Sequence, residues 1–306
     1  MPTHIRTLTA PVGPWTGPGL FSGVRSTLRV LPGLPNSGIR IKRISNNEII
    51  DAPVYVSQVT ASLAWMKLPP GIPEHIAQRV VRNTVLSLGT QAAATIEHIL
   101  SALAGLGIAD ALIELSENEV PILDGSAQDF AQALAQHSTI NLTHTTSLQS
   151  RAIRLRHPVS VQDNTGGTIT AHPITPNELP SAIYHLDYGP TSPIPPHAAT
   201  WQGNADDYVA NIAPARTFSL EHEALAAQKL GFFTTFSPHD LIVVNKSGTP
   251  IDNAWRFPDE PAKHKLLDLI GDLALLGRPL LARVEATKSG HALTHQLCIA
   301  ILESHA

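Results

Sequence analysis

The alternation of apolar and polar residues predicts strands in the first third of the chain. Residues 24–43, VRSTLRVLPGLPNSGIRIKR, alternate on both sides of a Pro/Asn/Ser/Gly turn, which predicts two strands joined by that turn. A shorter run of the same kind covers residues 53–65, and LPPGIP at 68–73 predicts a loop. ADALIEL at 109–115 predicts a further strand.

Helical patterns flank that last strand. QAAATIEHILSALAGL at 91–106 is rich in Ala and Leu and is followed by glycine, which predicts a helix. AQDFAQALAQH at 127–137 predicts a second helix with apolar residues on one face. The first part of the chain therefore runs from strands to helices.

A polar stretch then indicates a boundary. STINLTHTTSLQS at 138–150 is rich in Ser and Thr, so we expect a linker there. The length of 306 residues also favours two domains over one. We therefore predict a first domain over residues 1–137 and a second over residues 151–306.

The second part repeats the order of strands followed by helices, which predicts the α+β class. Residues 172–206 are rich in Pro and His and predict long loops with surface histidines at His172, His185 and His197. The predicted strands are residues 152–161, 166–174, 182–188, 240–245 and 280–286, and the predicted helices are residues 218–230, 260–276 and 291–303.

Composition and charge narrow the classes of function. The net charge of −4 argues against a nucleic-acid binder that relies on a general basic surface. With one cysteine, Cys298, an internal disulfide and a cysteine-rich zinc site are excluded, and we expect that thiol to be buried as a small apolar group. No secretory signal and no run of about 20 apolar residues is present, so we expect a cytoplasmic protein.

The segment KHKLLDLIGDL at 263–273 places its ionisable residues on one helical face. With about 100° per residue, His264, Asp268 and Asp272 fall within about 80° of one another, opposite the leucines. One interpretation is a solvated helix face. The other is a metal-ligand pair, His264 and Asp268, one turn apart. The spacing alone leaves both open.

Three further segments carry candidate chemistry. TIEHIL places Glu97 and His98 in an apolar helix, where they are either an exposed edge or a metal ligand beside a general base. KSGHALTHQL offers His291 as a general acid and Lys288 as a contact for an anion, or simply a polar helix start. In ARTFSL, Thr217 could donate to an oxyanion, although that segment alone has little specificity.

Together these segments resemble a known family. TIEHILSALAGLGIADALIEL, EVPILDGSAQDF, IAPARTF, KHKLLDLIGDL and KSGHAL, spread from residue 95 to 293, resemble the UDP-3-O-acyl-N-acetylglucosamine deacetylase (LpxC) family of zinc hydrolases. The resemblance implies two similar α+β domains that form a β-α-α-β sandwich. It places the helices between two sheets and the active site between the domains.

The resemblance also implies an activity and a site. The activity is hydrolysis of the N-acetyl group of UDP-3-O-acyl-N-acetylglucosamine, which releases acetate in a committed step of lipid A biosynthesis. The implied ligands of one Zn²⁺ per chain are His98, His264 and Asp268. Glu97 is the implied general base and His291 the implied general acid, with Asp272 as the partner of His291. Thr217 is implied to stabilise the oxyanion, and Lys265, Lys288 and Phe218 are implied to contact the substrate. For this chemistry we expect a lowered pKa for Glu97 and a raised pKa for His291.

The chain departs from the family pattern in three places. GPGLFSG carries Phe21 where the family usually has histidine, and GFFTTFSPHDLIVV carries Phe232, Phe233 and Phe236 where the family tends to have Gly-Gly-Ser. Residues 61–80 resemble a longer insert than most relatives have. For the phenylalanines, local repacking and an altered acyl-chain passage both stay open. We expect the three departures to affect the exact acyl chain or the exact sugar more than the hydrolytic chemistry.

Two other functions stay open on the sequence. One is a metal-dependent deacylase of a different nucleotide sugar, and the other is a non-catalytic metal-binding relative. We expect the small-molecule partner to be an acylated UDP-sugar substrate, and we expect no nucleic acid, no transmembrane segment and a monomer.

Overall fold

The computed structural model describes residues 5–45, 48–140, 151–175 and 177–304. The strands of the first half are β1 (Arg6–Leu8), β2 (Val12–Pro18), β3 (Arg25–Pro32), β4 (Ile39–Ser45), β5 (Glu48–Pro53), β6 (Val85–Leu88), β7 (Gln91–Ala94), β8 (Ala111–Leu115) and β9 (Ser138–Ile140). Its helices are α1 (Glu74–Ala77), α2 (Glu97–Leu106) and α3 (Gln128–Gln136), with one 3-10 turn at Val56–Gln58.

The second half continues with the following elements. Its strands are β10 (Ile153–Arg154), β11 (Val159–Gln162), β12 (Thr168–Pro173), β13 (Ser181–Leu186), β14 (His197–Trp201), β15 (Phe218–Leu220), β16 (Ile242–Val244) and β17 (Leu280–Thr287). Its helices are α4 (Ala205–Asp207), α5 (Glu221–Lys229), α6 (Glu260–Leu273) and α7 (His291–Glu303), with short turns at Tyr208–Ile212 and Ala274–Leu276.

Two larger sheets share one topology. The first has the strand order β2-β3-β8-β4-β5, and the second has the order β11-β12-β17-β13-β14, with β10 also paired to β17. In the first sheet only the β4–β8 pair is parallel, and the equivalent β13–β17 pair is parallel in the second. The strands predicted on both sides of the turn in residues 24–43 are confirmed as β3 and β4, but they flank β8 instead of pairing with each other.

One apolar core joins the two sheets through the helices between them. It includes Leu28 of β3, Leu103 of α2, Ile270 of α6 and Val284 of β17, all buried. Side chains alternate along each strand, so one face of each sheet meets the helices and the other meets solvent. The α+β class and the helices between two sheets are confirmed, and Cys298 is buried as expected.

Several predicted elements are wrong. Residues 91–94 form β7, paired antiparallel with β6, and the helix begins only at Glu97. Residues 54–65 contain a 3-10 turn and no strand of their own. The strand predicted at 182–188 is confirmed as β13, but the segment 172–206, predicted to be mainly long loops, also contains β14. The first three residues of the helix predicted at 218–230 form β15. The loop predicted at 68–73 is confirmed.

The predicted linker is only partly described. Ser138–Ile140 form β9, which pairs antiparallel with β1, so the polar stretch begins as a strand. The rest of the predicted linker, residues 141–150, lies outside the described residues. The domain boundaries therefore stay a prediction. Among the described helices, none combines the length and the apolar character needed to cross a membrane.

Candidate active site

The start of α2 brings two ionisable side chains into the core. Thr95, just before the helix, has a φ of 57°, and its hydroxyl donates to Glu119 Oε1 at 2.9 Å. This turn redirects the chain from β7 into α2 within two residues. Glu97 and His98 are consequently only 3% and 4% exposed, which rules out the interpretation as a solvated helix edge.

α6 places two more polar side chains against them. Nε2 of His98 lies 3.7 Å from Asp268 Oδ1, and Nε2 of His264 lies 3.5 Å from the same oxygen. The three ligand atoms are all within 4.8 Å of one another, and the two imidazole rings are nearly perpendicular. All three side chains are buried, so the ionisable face of α6 is not a solvated face.

The chemistry of this triad fits a metal ion. Burial lowers the pKa of His98 to about 3 and also lowers the pKa of His264, so both imidazoles are neutral, the form that binds metals. Nδ1 of His264 contacts the Ala215 carbonyl at 3.1 Å, which leaves Nε2 free for a ligand. Among the described residues, the buried Asp268 Oδ1 has no hydrogen-bond partner, as expected of an oxygen that binds a cation.

Lys265 and His291 complete the surroundings of Asp268. Nζ of Lys265 donates to Asp268 Oδ2 at 2.8 Å, and Nε2 of His291 lies 3.9 Å from the same oxygen. Burial alone would raise the pKa of Asp268, but Lys265 and the histidines hold it far below its usual range. The carboxylate is therefore ionised.

His291 is held by a second carboxylate on α6. Its Nδ1 lies 2.7 Å from Asp272 Oδ2. Burial favours the neutral imidazole, but Asp272 outweighs it and raises the pKa of His291 to about 9. Burial likewise works against the charge on Asp272, and His291 lowers the pKa of that carboxyl well below its ordinary value. His291 is thus a protonated imidazole whose Nε2 faces the triad, which fits the raised pKa expected of it.

The pKa of Glu97 differs from the expectation. Burial raises its pKa to about 8, and His291 opposes that shift only in part. The expected lowering is therefore wrong for the protein without a bound cation, because the carboxylate loses its hydration at the start of a buried helix. A cation at the triad would favour the ionised form of this neighbouring carboxylate.

Sequence reasoning missed two residues of this site. Thr84 Oγ1 donates to Asp272 Oδ1 at 2.6 Å, and His295 Nε2 lies 3.1 Å from Thr84 Oγ1. His295 follows His291 by one helical turn, a spacing that could have indicated a shared face. No spacing of ionisable residues in the sequence points to Thr84.

The remaining predicted site residues are spread around the triad. The ring of Phe218 contacts that of His264, with the centroids 6.3 Å apart. The amide of Thr217 donates to the Gly125 carbonyl at 2.7 Å, which fixes the backbone beside Phe218. Lys288 pairs with Asp187 at 2.9 Å and is half-exposed, so it is not free in this structure. The roles assigned to these residues stay predictions.

The departures at Phe21, Phe232, Phe233 and the insert meet in one place. The amide of Phe21 donates to Glu119 Oε1 at 3.0 Å, and its ring contacts Phe233 with centroids 5.6 Å apart. Phe21 and the buried Phe232 belong to a second apolar cluster, to which Leu63 and Ala77 of the insert also contribute. A cavity of about 320 Å³ lies beside it. It is lined by Leu20–Gly23, Met66–Pro70, Gly231 and Phe233–Thr235.

Comparisons with known proteins agree on one family. The family model described as UDP-3-O-acyl N-acetylglycosamine deacetylase matches residues 6–303. A protein of Saccharophagus degradans is 31% identical over 289 residues, covering 94% of this chain and 87% of its own. One from Trichormus variabilis is 31% identical, covering 94% of both chains, and one from Hydrogenovibrio crunogenus is 32% identical, covering 97% and 90%. All three are named UDP-3-O-acyl-N-acetylglucosamine deacetylase.

Proposed function

The chain belongs to the UDP-3-O-acyl-N-acetylglucosamine deacetylase family, and on that premise we propose that it performs this deacetylation as a zinc-dependent hydrolase. The enzyme removes the N-acetyl group of an acylated UDP-sugar, a step of lipid A biosynthesis, and releases acetate. The observation that supports the metal is the buried triad His98, His264 and Asp268. Oδ1 of Asp268 has no hydrogen-bond partner among the described residues.

Zinc suits this set of donors. Two neutral imidazoles and one carboxylate are the ligands of many catalytic zinc sites, and they leave one position open. When bound, zinc acts as a Lewis acid, which lowers the pKa of water and polarises a carbonyl group. We propose one zinc ion per chain.

Glu97 and His291 each carry out one of the two proton transfers of the hydrolysis. Glu97 accepts a proton from the attacking water as the new C–O bond to the acetyl carbon forms. The C–N bond then breaks, and Nε2 of the protonated His291 gives its proton to the departing sugar amine. Asp272, 2.7 Å from Nδ1 of His291, keeps that imidazole charged and fixes its orientation.

The other assigned residues act on the substrate. Thr217 would donate a hydrogen bond to the oxyanion, and Lys265 would add positive charge beside it. Phe218 would offer an apolar surface beside His264. Lys288 would bind the diphosphate of the substrate, and its ion pair with Asp187 would break when it does so.

Metal content and rate together test this function. We expect about one zinc per chain in the wild type and none in His264→Ala, measured by elemental analysis after dialysis. Glu97→Ala should keep its zinc and release acetate about 100-fold more slowly or worse, because only the general base is lost. Glu114→Ala, which removes a carboxylate from β8, is the matched control and should behave as the wild type.

Two results would contradict the proposal. One is a wild-type protein that binds no metal and releases no acetate with added zinc, iron or manganese. The other is a Glu97→Ala variant with the wild-type rate, which would remove Glu97 from the role of base.

The second candidate for the substrate is a UDP-sugar that carries a different acyl chain. The contact of Phe21 with Phe233 and the cavity next to it place bulky side chains where the chain departs from its family pattern. A panel of UDP-sugars that differ in acyl length and in the sugar separates the two specificities by kcat/KM. The cytoplasmic location, the monomeric state and the absence of nucleic-acid binding stay predictions.

A further inference from the structure

Thr84 touches the proposed base and the partner of the proposed acid at once. It is completely buried and directly precedes β6 in the first half of the chain. Its amide donates to Glu97 Oε2 at 3.1 Å, and its hydroxyl donates to Asp272 Oδ1 at 2.6 Å. Asp272 is 188 residues away along the chain. One residue therefore links α2 to α6 through the two carboxylates.

The geometry assigns a different donor to each oxygen of Asp272. Oδ1 accepts from the Thr84 hydroxyl, and Oδ2 accepts from Nδ1 of His291 at 2.7 Å. His295 Nε2 lies 3.1 Å from the Thr84 hydroxyl and 3.6 Å from Oδ1. With its one proton given to Asp272, the hydroxyl can still accept a hydrogen bond from His295.

We propose that Thr84 is a positioning residue of this deacetylase, whose hydroxyl fixes Asp272 so that His291 is aimed at the leaving nitrogen. The inference rests on the role proposed above for His291. Without that hydroxyl, Oδ1 of the buried carboxylate loses its donor at 2.6 Å, and His295 Nε2 lies 3.6 Å from it. Rotation of the carboxylate toward His295 would draw Oδ2 away from His291.

Two substitutions at the same position test the role of the hydroxyl. Thr84→Val keeps the shape and the backbone amide but removes the hydroxyl, and we expect kcat to fall about 10-fold with KM unchanged. Thr84→Ser keeps the hydroxyl and should recover most of that loss. Thr294→Val is the matched control, because Thr294 is a buried threonine whose hydroxyl donates a long hydrogen bond to the Gly290 carbonyl, at 3.4 Å. It should keep the wild-type kcat.

Measuring Thr84→Val in the His291→Ala variant distinguishes a positioning role of Thr84 from a general loss of structure. In His291→Ala the acid is absent, so adding Thr84→Val should lower kcat no further. The shift in unfolding midpoint that Thr84→Val causes should persist in that background, because the buried carboxylate still lacks its donor. Non-additive rates with additive stabilities would support the inference.

The results that overturn the inference differ from those that overturn the proposed function. Equal kcat for Thr84→Val and the Thr294→Val control would overturn the inference alone. The same fold loss from Thr84→Val in both backgrounds would also overturn it, since the effect would not pass through His291. If His291→Ala itself kept the wild-type kcat, the proposed role of His291 would fail, and the inference would fall with it.

Discussion

Glu260 shows how a single buried charge holds the segment beside the triad. This carboxylate is completely buried at the start of α6 and accepts from Nε of Arg216 at 2.8 Å. Arg216 directly precedes Thr217, and its guanidinium also donates to the Ala254 carbonyl. The ion pair therefore ties the proposed oxyanion residue to the helix that carries His264.

We expect Glu260→Gln to lower the free energy of unfolding by about 3 kcal/mol, because it leaves the Arg216 charge buried without a counterion. Urea unfolding followed by fluorescence measures this change. Glu114→Gln is the control: its partner Lys42 is part-exposed, so the loss should stay below about 1 kcal/mol. Equal losses in the two variants would contradict the distinction between buried and exposed pairs.

The raised pKa of His291 predicts how stability depends on pH in the protein freed of metal. The pKa of His291 is about 9 in the folded chain and about 6.5 in the unfolded chain, because Asp272 favours the charged imidazole. The stabilisation is complete below about pH 6.5 and is lost as the pH rises through about 9. It amounts to about 3 kcal/mol.

Urea unfolding of the wild type and of His291→Asn after chelation tests this pH dependence. The wild type should be the more stable protein near pH 6, and its advantage should shrink near pH 10. His172→Asn, at a half-buried position of β12, serves as the control for the exchange of a histidine for an asparagine. A difference between wild type and His291→Asn that stays constant with pH would refute the coupling to Asp272.

The crossing of α2 and α6 depends on a residue without a side chain. A Cβ atom at Gly271 would overlap the carbonyl oxygen of Glu97 and lie 3.1 Å from the amide of Ser101. The two helices can therefore approach closely enough for His98 of α2 to meet His264 and Asp268 of α6. Close helix packing is thus part of how the triad is built.

We expect Gly271→Ala to weaken zinc binding about 10-fold, because α2 must shift and carry His98 with it. Competition with a chelating dye measures the affinity. Gly17→Ala is the control, since a Cβ atom there would lie 3.5 Å from Pro121 Cβ, an ordinary contact. Unchanged affinity in Gly271→Ala would show that the ligands do not depend on this helix contact.

Local patterns predicted most elements but misjudged those that depend on distant partners. The alanines of residues 91–94 favour a helix by intrinsic propensity, yet they form β7 because β6 pairs with them. Residues 138–140, at the start of the predicted linker, form β9 because they pair with β1, which is far away in sequence. Neither pairing leaves a pattern within the segment itself.

The same limit explains which site residues the sequence revealed. Glu97, His98, His264 and Asp268 lie in short motifs with helical spacing, and the structure brings them together. Thr84 is recognised only through its contact with Asp272, 188 residues away, and no spacing rule reaches that far. The direction of the pKa shift of Glu97 also depends on burial, which the motif does not contain.

The two halves of the molecule repeat one topology that the sequence shows only as a similar order of elements. The two larger sheets have equivalent strand orders, and the equivalent pairs β4–β8 and β13–β17 are both parallel. α2 precedes β8 as α6 precedes β17, so the helices that supply the ligands occupy equivalent places. His98 comes from one half, and His264 and Asp268 come from the other. The triad therefore exists only when both halves are folded and packed.

This arrangement predicts that zinc stabilises the whole molecule in one transition. Because the apolar core is continuous through both sheets, we expect Trp15 of β2 and Trp201 of β14 to report the same melting midpoint in single-tryptophan variants. Zinc at about 100 times its Kd should raise both midpoints together by about 5 °C, since it binds only the folded state.

His98→Ala provides the decisive comparison, because it removes the one zinc ligand that the first half supplies. In that variant zinc should shift neither midpoint, and His172→Ala should shift as the wild type does. A zinc-dependent shift seen only at Trp201 would mean that the second half binds the ion alone. That result would separate the metal from the packing of the two halves, on which the shared site depends.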